Sequence, residues 1–459
     1  MEAPSNGSGP APRKAPSRLV ELRIIARLAL PIALAQVGLT LFGLVDVAVL
    51  GRVSATELGG GAIGRSIGFA GLSLGIGAAA ALEPLAAQAV GAGELHVAWR
   101  SYVGTVRACF VLWLPCVAAV LAAAFLLEPF GVDAALAPPA RAFLVAQAPT
   151  MLFVPLFLAA KTFLQAHGRT SPALVAAVVA NVVNFVACNI LVRGQLGSFT
   201  SGTTPLGALG AGIASSIASV VLVAVVMIEV WRLRPEGEGH GADAHPVSVW
   251  RVLRLGTPIG LQMLAEIGVF SLVAVIAGRL GRVAVSAHHI AIGLASFSFM
   301  GVLGVSGATA VRVGLAVGEQ RSPRRAGLIG IALGAVFMTC TGMLFVGAPR
   351  SLAALFTTDP EILELTVSLL GVAAMFQLFD GIQGVAAGAL RGAGDVRFAF
   401  LANVVAHWLV GLPLALLLGF TLGMGARGLW FGLLAGLFLV SIALLARFVI
   451  VTRRHIDRV

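Results

Sequence analysis

The sequence predicts an all-α polytopic membrane protein with about 12 transmembrane helices, arranged as two parallel six-helix lobes related by pseudo-two-fold symmetry. Of the 459 residues, 58% are hydrophobic and only 11% are charged, whereas soluble domains carry roughly 25% charged residues. The apolar residues form about twelve runs, each long enough to cross a bilayer at about 1.5 Å per residue. Several short motifs also recur about 227 residues apart, which indicates that one half of the chain repeats the other.

The apolar runs are the candidate membrane-spanning helices. In chain order they cover residues 24–50, 62–86, 102–127, 138–164, 172–193, 207–231, 255–278, 285–312, 325–348, 363–390, 397–420 and 426–451. The connections decide the orientation, because cytoplasmic loops carry an excess of Lys and Arg. Every second connection is basic, so we expect a multi-pass protein of the cell inner (plasma) membrane with both termini cytoplasmic. Arg279 and Arg282 are exceptions, because this topology places them outside.

The net charge of +11 would suggest a nucleic-acid partner in a soluble protein. Here the arginines cluster in short connections between apolar runs, so membrane orientation explains the charge and no nucleic-acid partner is expected. The four cysteines lie within apolar runs without paired spacing. They are therefore read as small core residues and not as disulfides or metal ligands.

The internal repeat defines the predicted domain organisation. Pro31 matches Pro258 within similar pentapeptides, and Gly91 matches Gly318. Because each half holds an even number of spans, the two copies enter the membrane in the same direction, which gives parallel lobes. The predicted segments are a cytoplasmic tail (1–22), an amino-terminal six-helix lobe (23–232), a cytoplasmic linker (233–249), a carboxy-terminal six-helix lobe (250–452) and a cytoplasmic tail (453–459). The linker's Gly-rich stretch favours a solvated tether over a metal site.

Three carboxylates fall inside predicted spans: Asp46, Glu266 and Asp380. An acidic group in mid-membrane costs roughly 2.5 to 3.5 kcal/mol, so it usually faces a wet cavity or a partner. In the repeat they lie opposite Val273, Leu39 and Val154, and so they are not relics of the duplication. Two simpler readings remain: Asp46 reaches headgroup water, or the acids are neutral and hydrogen-bonded in a static core.

Membrane carboxylates can bind protons or sodium, since oxygen ligands suit hard cations. Sodium is accordingly a candidate ligand of Glu266, Asp380 or Asp46. An inward cation releases about 2.3 kcal/mol per 100 mV, which can drive another solute outward. Coupled antiport is therefore the natural hypothesis, although a carboxylate could also attract a cationic substrate directly. No cofactor is expected beyond the coupling ion.

Other polar residues within the spans are candidates for the cavity lining. Asn181 and Asn184 share a helix face at a spacing of three residues, and Gln36 precedes Asp46 by close to three helical turns. Each alone more often makes an interhelical hydrogen bond than it binds a ligand. The remaining candidates are Asn189, Ser215, Gln262, Gln377, Gln383, His289 and Arg65.

From about Leu22 to Arg453 the chain resembles the multidrug and toxic compound extrusion (MATE) transporters. The motifs that carry this resemblance are Leu44-Val-Asp46-Val-Ala-Val-Leu-Gly51-Arg52, Ala87-Gln88-Ala-Val-Gly91-Ala-Gly93, Leu264-Ala-Glu266, Ala287-His288-His289, Arg312-Val-Gly314 with Gly318-Glu319, and Asp380 with Ala387-Gly388-Ala-Leu-Arg391-Gly392. The pairing of Glu266 with Asp380 is similar to the NorM-type branch.

The resemblance implies a cation-coupled exporter whose lobes open alternately to the two sides of the membrane. By position, Asp46 and Asn184 would belong to a cation site in the first lobe, and Glu266 and Asp380 to a cation or substrate site in the second. Three positions depart from the family pattern. Cys188 stands where an Asn or Asp is expected, which favours protons over sodium in the first lobe, and His289 stands where Gln is usual. Arg65 either pairs with Asp46 or snorkels outward.

The predicted function is secondary active multidrug efflux: export of amphipathic, often cationic organic compounds in exchange for inward H⁺ or Na⁺, by a monomer in the bilayer. One alternative is a lipid or polysaccharide flippase, which would need cations in its cavity, and only Arg65, Arg107 and Lys161 could supply them. A remote alternative is an intramembrane serine protease that uses Ser306 with a histidine (His288, His289 or His407) as base. We expect no enzyme.

Overall fold

The computed structural model describes residues 16–129, 131–194, 205–236 and 247–459, and within these ranges the chain is helical without β-strands. The helices are α1 (Arg18–Leu50), α2 (Ala55–Ala80), α3 (Leu82–Gly91), α4 (Leu95–Phe125), α5 (Ala137–Gln147), α6 (Thr150–Ala166), α7 (Ser171–Arg193), α8 (Gly207–Arg232), α9 (Val249–Gly278), α10 (Arg282–Gly318), α11 (Arg324–Gly347), α12 (Pro349–Ala354), α13 (Pro360–Gly392), α14 (Val396–Val404), α15 (Leu412–Leu416) and α16 (Gly425–Val451). The segments Val405–Gly411 and Leu417–Thr421 are π-helical.

These helices form the twelve predicted spans. Among the described residues, eleven helical segments are long and apolar enough to cross a membrane, and α5 with α6 forms a twelfth that bends by 45°. The bend lies at Pro149, which has no N–H for the helical ladder. The segments Ala55–Gly91 and Val396–Thr421 each count as one span. The prediction of an all-α polytopic fold is therefore confirmed.

The ends of the spans differ from the hydropathy runs where charged turns continue a helix. Helix α1 begins at Arg18, inside the segment predicted as a tail, because the Ser17 hydroxyl accepts a hydrogen bond from Val20 N at 3.4 Å and caps the helix. Residues 1–15, and residues 237–246 of the predicted linker, lie outside the described part of the chain. The lobe boundaries themselves stay predictions.

The two halves of the chain meet through helix pairs that the repeat relates: α1 packs against α10, and α2 packs against α9. Gly77 contacts Gly256 and Gly260, so closely that a Cβ added to Gly77 would lie 2.5 Å from Gly260 N. The residue 227 positions later, Gly304, contacts Ala29 and Ala33 in the same way, with 2.6 Å from an added Cβ to Ala29 O. Each contact is thus the symmetry copy of the other.

The symmetry axis can be located from a residue that contacts its own equivalent. A Cβ added to Gly314 would lie 2.6 Å from the Cβ of Ala87, the residue 227 positions earlier. On either side, Gly91 packs on the backbone of Leu315, and Gly318 packs on the backbone of Gln88. Small residues allow this close backbone approach, which is how helices associate in lipid. The repeat predicted from the sequence is therefore a physical two-fold relation between the halves.

Pro16 and Val459, the first and last described residues, lie at the same end of the molecule, which we call the terminal end; the opposite one is the far end. Arg325 Nη1 donates to Pro16 O at 3.0 Å, and Val459 N donates to the Gln88 side chain at 2.8 Å. An even number of spans requires this arrangement. The contacts across the symmetry axis at residues 87–91 and 314–318 also lie near the terminal end.

Gly304→Ala is expected to destabilise the protein, because the added methyl group collides with the Ala29 carbonyl oxygen. Overpacking of this kind costs about 1 to 3 kcal/mol, which should lower the Tm in detergent by several degrees. The matched control is Gly293→Ala on the same helix, where an added Cβ meets nothing within 4 Å. Equal Tm values for the two variants would contradict close packing at this interface.

Candidate ion and substrate sites

Asp46, near the far end of α1, is completely buried and lies among three side chains from other helices. Its Oδ2 accepts hydrogen bonds from Arg65 Nη2 at 3.0 Å and from Ser215 Oγ at 2.9 Å. The Cys188 thiol lies 3.7 Å from Oδ1 and donates weakly. The carboxylate therefore meets a cation from α2 and two weaker donors from α7 and α8, and it does not reach water.

Arg65 pairs with Asp46 and does not simply snorkel outward. Its guanidinium lies over the Phe143 ring, 5.7 Å from the centroid, and the side chain is 27% exposed. Gly43 makes room for it, since an added Cβ there would lie 2.8 Å from Arg65 Nη1. Of the two interpretations that the sequence left open, the ion pair is the one observed.

The three asparagines of α7 differ in what they contact. Asn181 donates to Gly38 O at 2.8 Å, and Asn189 donates to Phe185 O at 2.8 Å. Asn184 is fully buried, and neither its amide oxygen nor its amide nitrogen has a hydrogen-bond partner in the described part of the chain. It lies one turn before Cys188, on the helix face that points toward Asp46. Asn184 is therefore the free polar group of this site.

Gln36 belongs to a different environment. Its Oε1 accepts a hydrogen bond from Lys161 Nζ at 3.0 Å, and Lys161 is only 8% exposed. Gln36 lies ten residues before Asp46 on α1, toward the terminal end. The two residues share a helix but contact different partners.

The second acidic site lies in the carboxy-terminal half. Glu266 on α9 accepts a hydrogen bond from Asn403 Nδ2 at 3.3 Å, and the Gln383 side chain also lies near it. Asp380 on α13 is 7% exposed and has no hydrogen bond or ion pair with any described residue. Its charge is close enough to interact with that of Glu266. The structure thus places Glu266, Asp380 and Gln383 near one another.

Asn403 was missed by the sequence analysis, although an amide in the middle of an apolar run was a usable signal. It lies just before the π-helical segment Val405–Gly411, and π-helical turns are frequent at functional sites. Within that segment Trp408 Nε1 donates to Ala265 O at 3.0 Å. The eleventh span, Val396–Thr421, is therefore joined to α9 at Glu266 and at the preceding residue, Ala265.

The remaining candidates lie at varying positions around this site. Gln377, one turn before Asp380, donates to Thr341 Oγ1 at 3.0 Å and to Ser298. Gln262 is buried one turn before Glu266. His289 is exposed near the far end of α10 and meets His288 edge to face, with 5.8 Å between the ring centroids. No described contact joins His289 to either carboxylate.

The hydroxyl proposed as a protease nucleophile is already engaged. Ser306 Oγ donates to Gly384 O at 2.7 Å and accepts from Arg391 Nη2 at 3.3 Å. His407 Nδ1 instead pairs with Asn403 O at 3.2 Å. Among the described contacts, no histidine is placed to take a proton from Ser306.

Three ion pairs, which the sequence analysis did not identify, join the halves at the terminal end. Arg312 donates to both Glu21 oxygens, at 2.7 and 2.8 Å, and both side chains are largely buried. Arg391 donates to Glu83 at 2.9 Å, and the third pair links Arg458 to Glu94 at 2.9 Å. Their members are 291 to 364 residues apart. No local sequence signal could have paired them.

The fold and these sites define a membrane transporter built from two repeated lobes, with acidic groups inside each lobe. A family model described as MatE matches residues 31–190 and again residues 258–417. The two matches are offset by the same 227 residues as the interface contacts. The chain belongs to the MatE family, whose members are transporters and not enzymes.

The relatives include NorM proteins of several bacteria. The chain is 34% identical to the probable multidrug resistance protein NorM of Deinococcus radiodurans, over 95% of this chain and 97% of that protein. It is 34% identical to the corresponding protein of Pseudomonas putida, over 92% and 93%. The multidrug resistance protein MdtK of Yersinia enterocolitica is 31% identical over 94% and 95%. The similarity to the NorM branch is therefore confirmed.

Solved structures share the fold at low sequence identity. The eukaryotic MATE transporter AtDTX14 superimposes with a TM-score of 0.83 at 21% identity, over 94% of this chain and 96% of that chain. An outward-facing multidrug resistance MATE family transporter superimposes with a TM-score of 0.81 at 18% identity, over 96% and 99%. The helical arrangement is thus that of MATE transporters.

The Asp46–Arg65 pair should show strong coupling in a double-mutant cycle. Removing one member of a buried pair leaves an uncompensated charge and costs about 3 to 5 kcal/mol, whereas removing both costs less. Arg65→Gln should therefore lower the Tm of the purified protein more than Asp46→Asn with Arg65→Gln together. Additive losses of Tm would show that the two side chains do not depend on each other.

Proposed function

We propose that the protein is a secondary active multidrug exporter that exchanges amphipathic, often cationic organic compounds for inward H⁺ or Na⁺. The observation that carries this proposal is the pair Glu266 and Asp380, two neighbouring acidic groups that have no basic partner in ion-pair contact among the described residues. The relatives named multidrug resistance proteins support the substrate class. Membrane carboxylates of this kind mark ion pathways.

The surroundings of Glu266 and Asp380 suit a small hard cation. The amide oxygens Asn403 Oδ1 and Gln383 Oε1 are buried without hydrogen-bond partners in the described part of the chain. Together with the carboxylates they supply oxygen donors, which Na⁺ or a hydrated proton requires. A cation bound here would also relieve the repulsion between the two acids. We therefore assign the coupling ion to this site.

Asp46 has a different status, because Arg65 already supplies its cation. An ion or a cationic drug could bind Asp46 only by displacing the guanidinium. Asn184, with its free amide, would be the second ligand in such a state. We propose that the Asp46 site contributes to coupling only when this ion pair opens, and that the second lobe holds the ion otherwise.

The position of the three cross-lobe ion pairs supports an alternating-access mechanism. The basic connections predict that the terminal end is cytoplasmic, so these pairs hold the lobes together on the cytoplasmic side of a monomer in the inner membrane. Opening toward the cytoplasm would have to break them. Because two of the three pairs are largely buried, they are expected to hold the lobes more firmly than exposed pairs do.

The flippase alternative has less support, because its cations do not converge on one chamber. Lys161 is buried against Gln36, Arg65 is paired with Asp46, and Arg107 is exposed on α4. A phosphate-binding cavity would need several of them free and facing one space. The acidic pair favours a cation as the bound ion.

Glu266→Gln and Asp380→Asn should each reduce cation-driven drug uptake into everted vesicles to the level of vesicles without the protein, because each removes a ligand of the coupling ion. Running the assay with an imposed proton gradient or sodium gradient identifies the ion. The control is Glu364→Gln. It neutralises an exposed carboxylate on α13, the helix that carries Asp380. Full transport by both variants, with loss in Asp46→Asn, would place the coupling site in the first lobe instead.

Arg312→Gln should loosen the cytoplasmic seal, because Glu21 then loses both of its charged hydrogen bonds. Hydrogen–deuterium exchange should rise at the terminal ends of α1 and α10. The matched control is Arg350→Gln, which removes an exposed pair with Glu364 inside one lobe. The seal is wrongly assigned if the two variants exchange alike at α1 and α10.

A further inference from the structure

At the far end of the carboxy-terminal half, a surface groove of about 440 Å³ runs between the end of α9 and the end of the eleventh span. Its lining residues are Ile276, Arg279, Leu416, Leu417, Phe420 and Thr421. Pockets that hold small ligands have volumes of roughly 300 to 1,000 Å³. The groove is separate from the acidic site at Glu266, which lies about three turns deeper on α9.

Local structure keeps this groove open. The eleventh span ends in the π-helical turn Leu417–Thr421, where Leu422 N bonds to Leu417 O at 3.0 Å. This turn is wider than an α-helical turn. On the other side, α9 ends at Gly278, and neither Gly278 nor Gly281 would bring an added Cβ within 4 Å of another atom. No side chain from the described residues therefore covers the mouth at these two positions.

Arg279 gives the groove its charge. It is exposed and has no hydrogen bond or ion pair with any described residue. Arg282, three residues later, instead donates to Asp359 at 3.1 Å. That hydrogen bond lowers the pKa of Asp359 below its ordinary value, so the Arg282–Asp359 pair stays charged. Of Arg279 and Arg282, only Arg279 lacks an anionic partner among the described residues.

The walls of the groove are hydrocarbon. Leu416, Leu417 and Phe420 are each between 40% and 47% exposed, as expected for side chains that face acyl chains. The polar groups on the lining are the Arg279 guanidinium and the Thr421 hydroxyl. A cation and a hydroxyl above an apolar wall match an amphiphile with an anionic head and hydrocarbon tails.

We propose that this groove binds an anionic phospholipid from the leaflet at the far end, with its phosphate on Arg279 and its acyl chains on Leu417 and Phe420. The lipid would supply the negative charge that Arg279 lacks. A guanidinium is suited to this role because it donates two hydrogen bonds to a phosphate. This assignment does not depend on the transported substrate or the coupling ion.

The bound lipid would lie on the same two segments that hold Glu266. Helix α9 and the eleventh span are joined deeper in the membrane by Asn403 to Glu266 and by Trp408 to Ala265. A lipid between their far ends would add a third connection. The site would thereby stabilise the helix pair around the acidic centre.

The test is native mass spectrometry of the delipidated full chain, titrated with phosphatidylglycerol and, separately, with phosphatidylcholine. The wild type should bind phosphatidylglycerol in preference to phosphatidylcholine. Arg279→Gln should weaken the tightest phosphatidylglycerol binding about tenfold, the factor that corresponds to 1.4 kcal/mol. The matched control is Arg282→Gln, which removes the same charge three residues away and should leave that binding unchanged.

Leu417→Trp is a second variant that keeps the charge and fills the apolar wall; it should also weaken the tightest binding. Equal losses for Arg279→Gln and Arg282→Gln would indicate diffuse attraction to a basic surface and overturn the assignment. So would equal affinity of the wild type for the two lipids. A dimer that forms in place of lipid adducts and is lost in Leu417→Trp would show that a second copy of the chain covers the groove.

Discussion

The structure depends on one constraint: each acidic side chain in the membrane needs a source of positive charge. Asp46 has Arg65, and Glu21 has Arg312. Glu266 and Asp380 lie near each other, and neither forms an ion pair with a basic side chain among the described residues. Because an isolated charge in hydrocarbon is costly, a mobile cation would be most strongly stabilised at these two acids. The proposed coupling site is therefore distinguished from the fixed ion pairs by the lack of a basic partner in contact with its acids. The positions of the acids alone do not make this distinction.

The symmetric and asymmetric parts of the molecule have different tasks. Contacts between the lobes at Gly77 and Gly304 are copies related by the repeat, and Ala87 meets Gly314 on the axis. These contacts are made by small residues and backbone, which favour close packing in lipid. The ion pairs across the lobes and the acidic sites have no symmetry copies. In the proposed mechanism, the duplicated scaffold would provide two bodies that move against each other, and the single-copy charges would give that movement a direction.

The proposed lipid site gives a structural explanation for a positive charge that departs from the rule of basic cytoplasmic loops. Arg279 and Arg282 are two positive charges that the predicted topology places at the far end. Arg282 is neutralised by Asp359, whereas Arg279 lies beside an apolar groove. A bilayer lipid can complete such a surface, since its phosphate and its tails are held at the depths at which the protein presents a cation and a hydrocarbon wall.

The sequence alone determined the twelve spans, the repeat and the three membrane carboxylates, because hydropathy and a fixed offset are properties of the chain that survive without packing. It also identified Arg65 but left its direction open. Only the tertiary structure decided which side chains meet: Ser215 reaches Asp46 across 169 residues, and Asn403 reaches Glu266 across 137. The rotation of each helix about its axis and the wider π-helical turns determine which side chains come into contact. Neither can be derived from the periodicity of a short stretch of sequence. The partners of each charge therefore had to be seen in three dimensions.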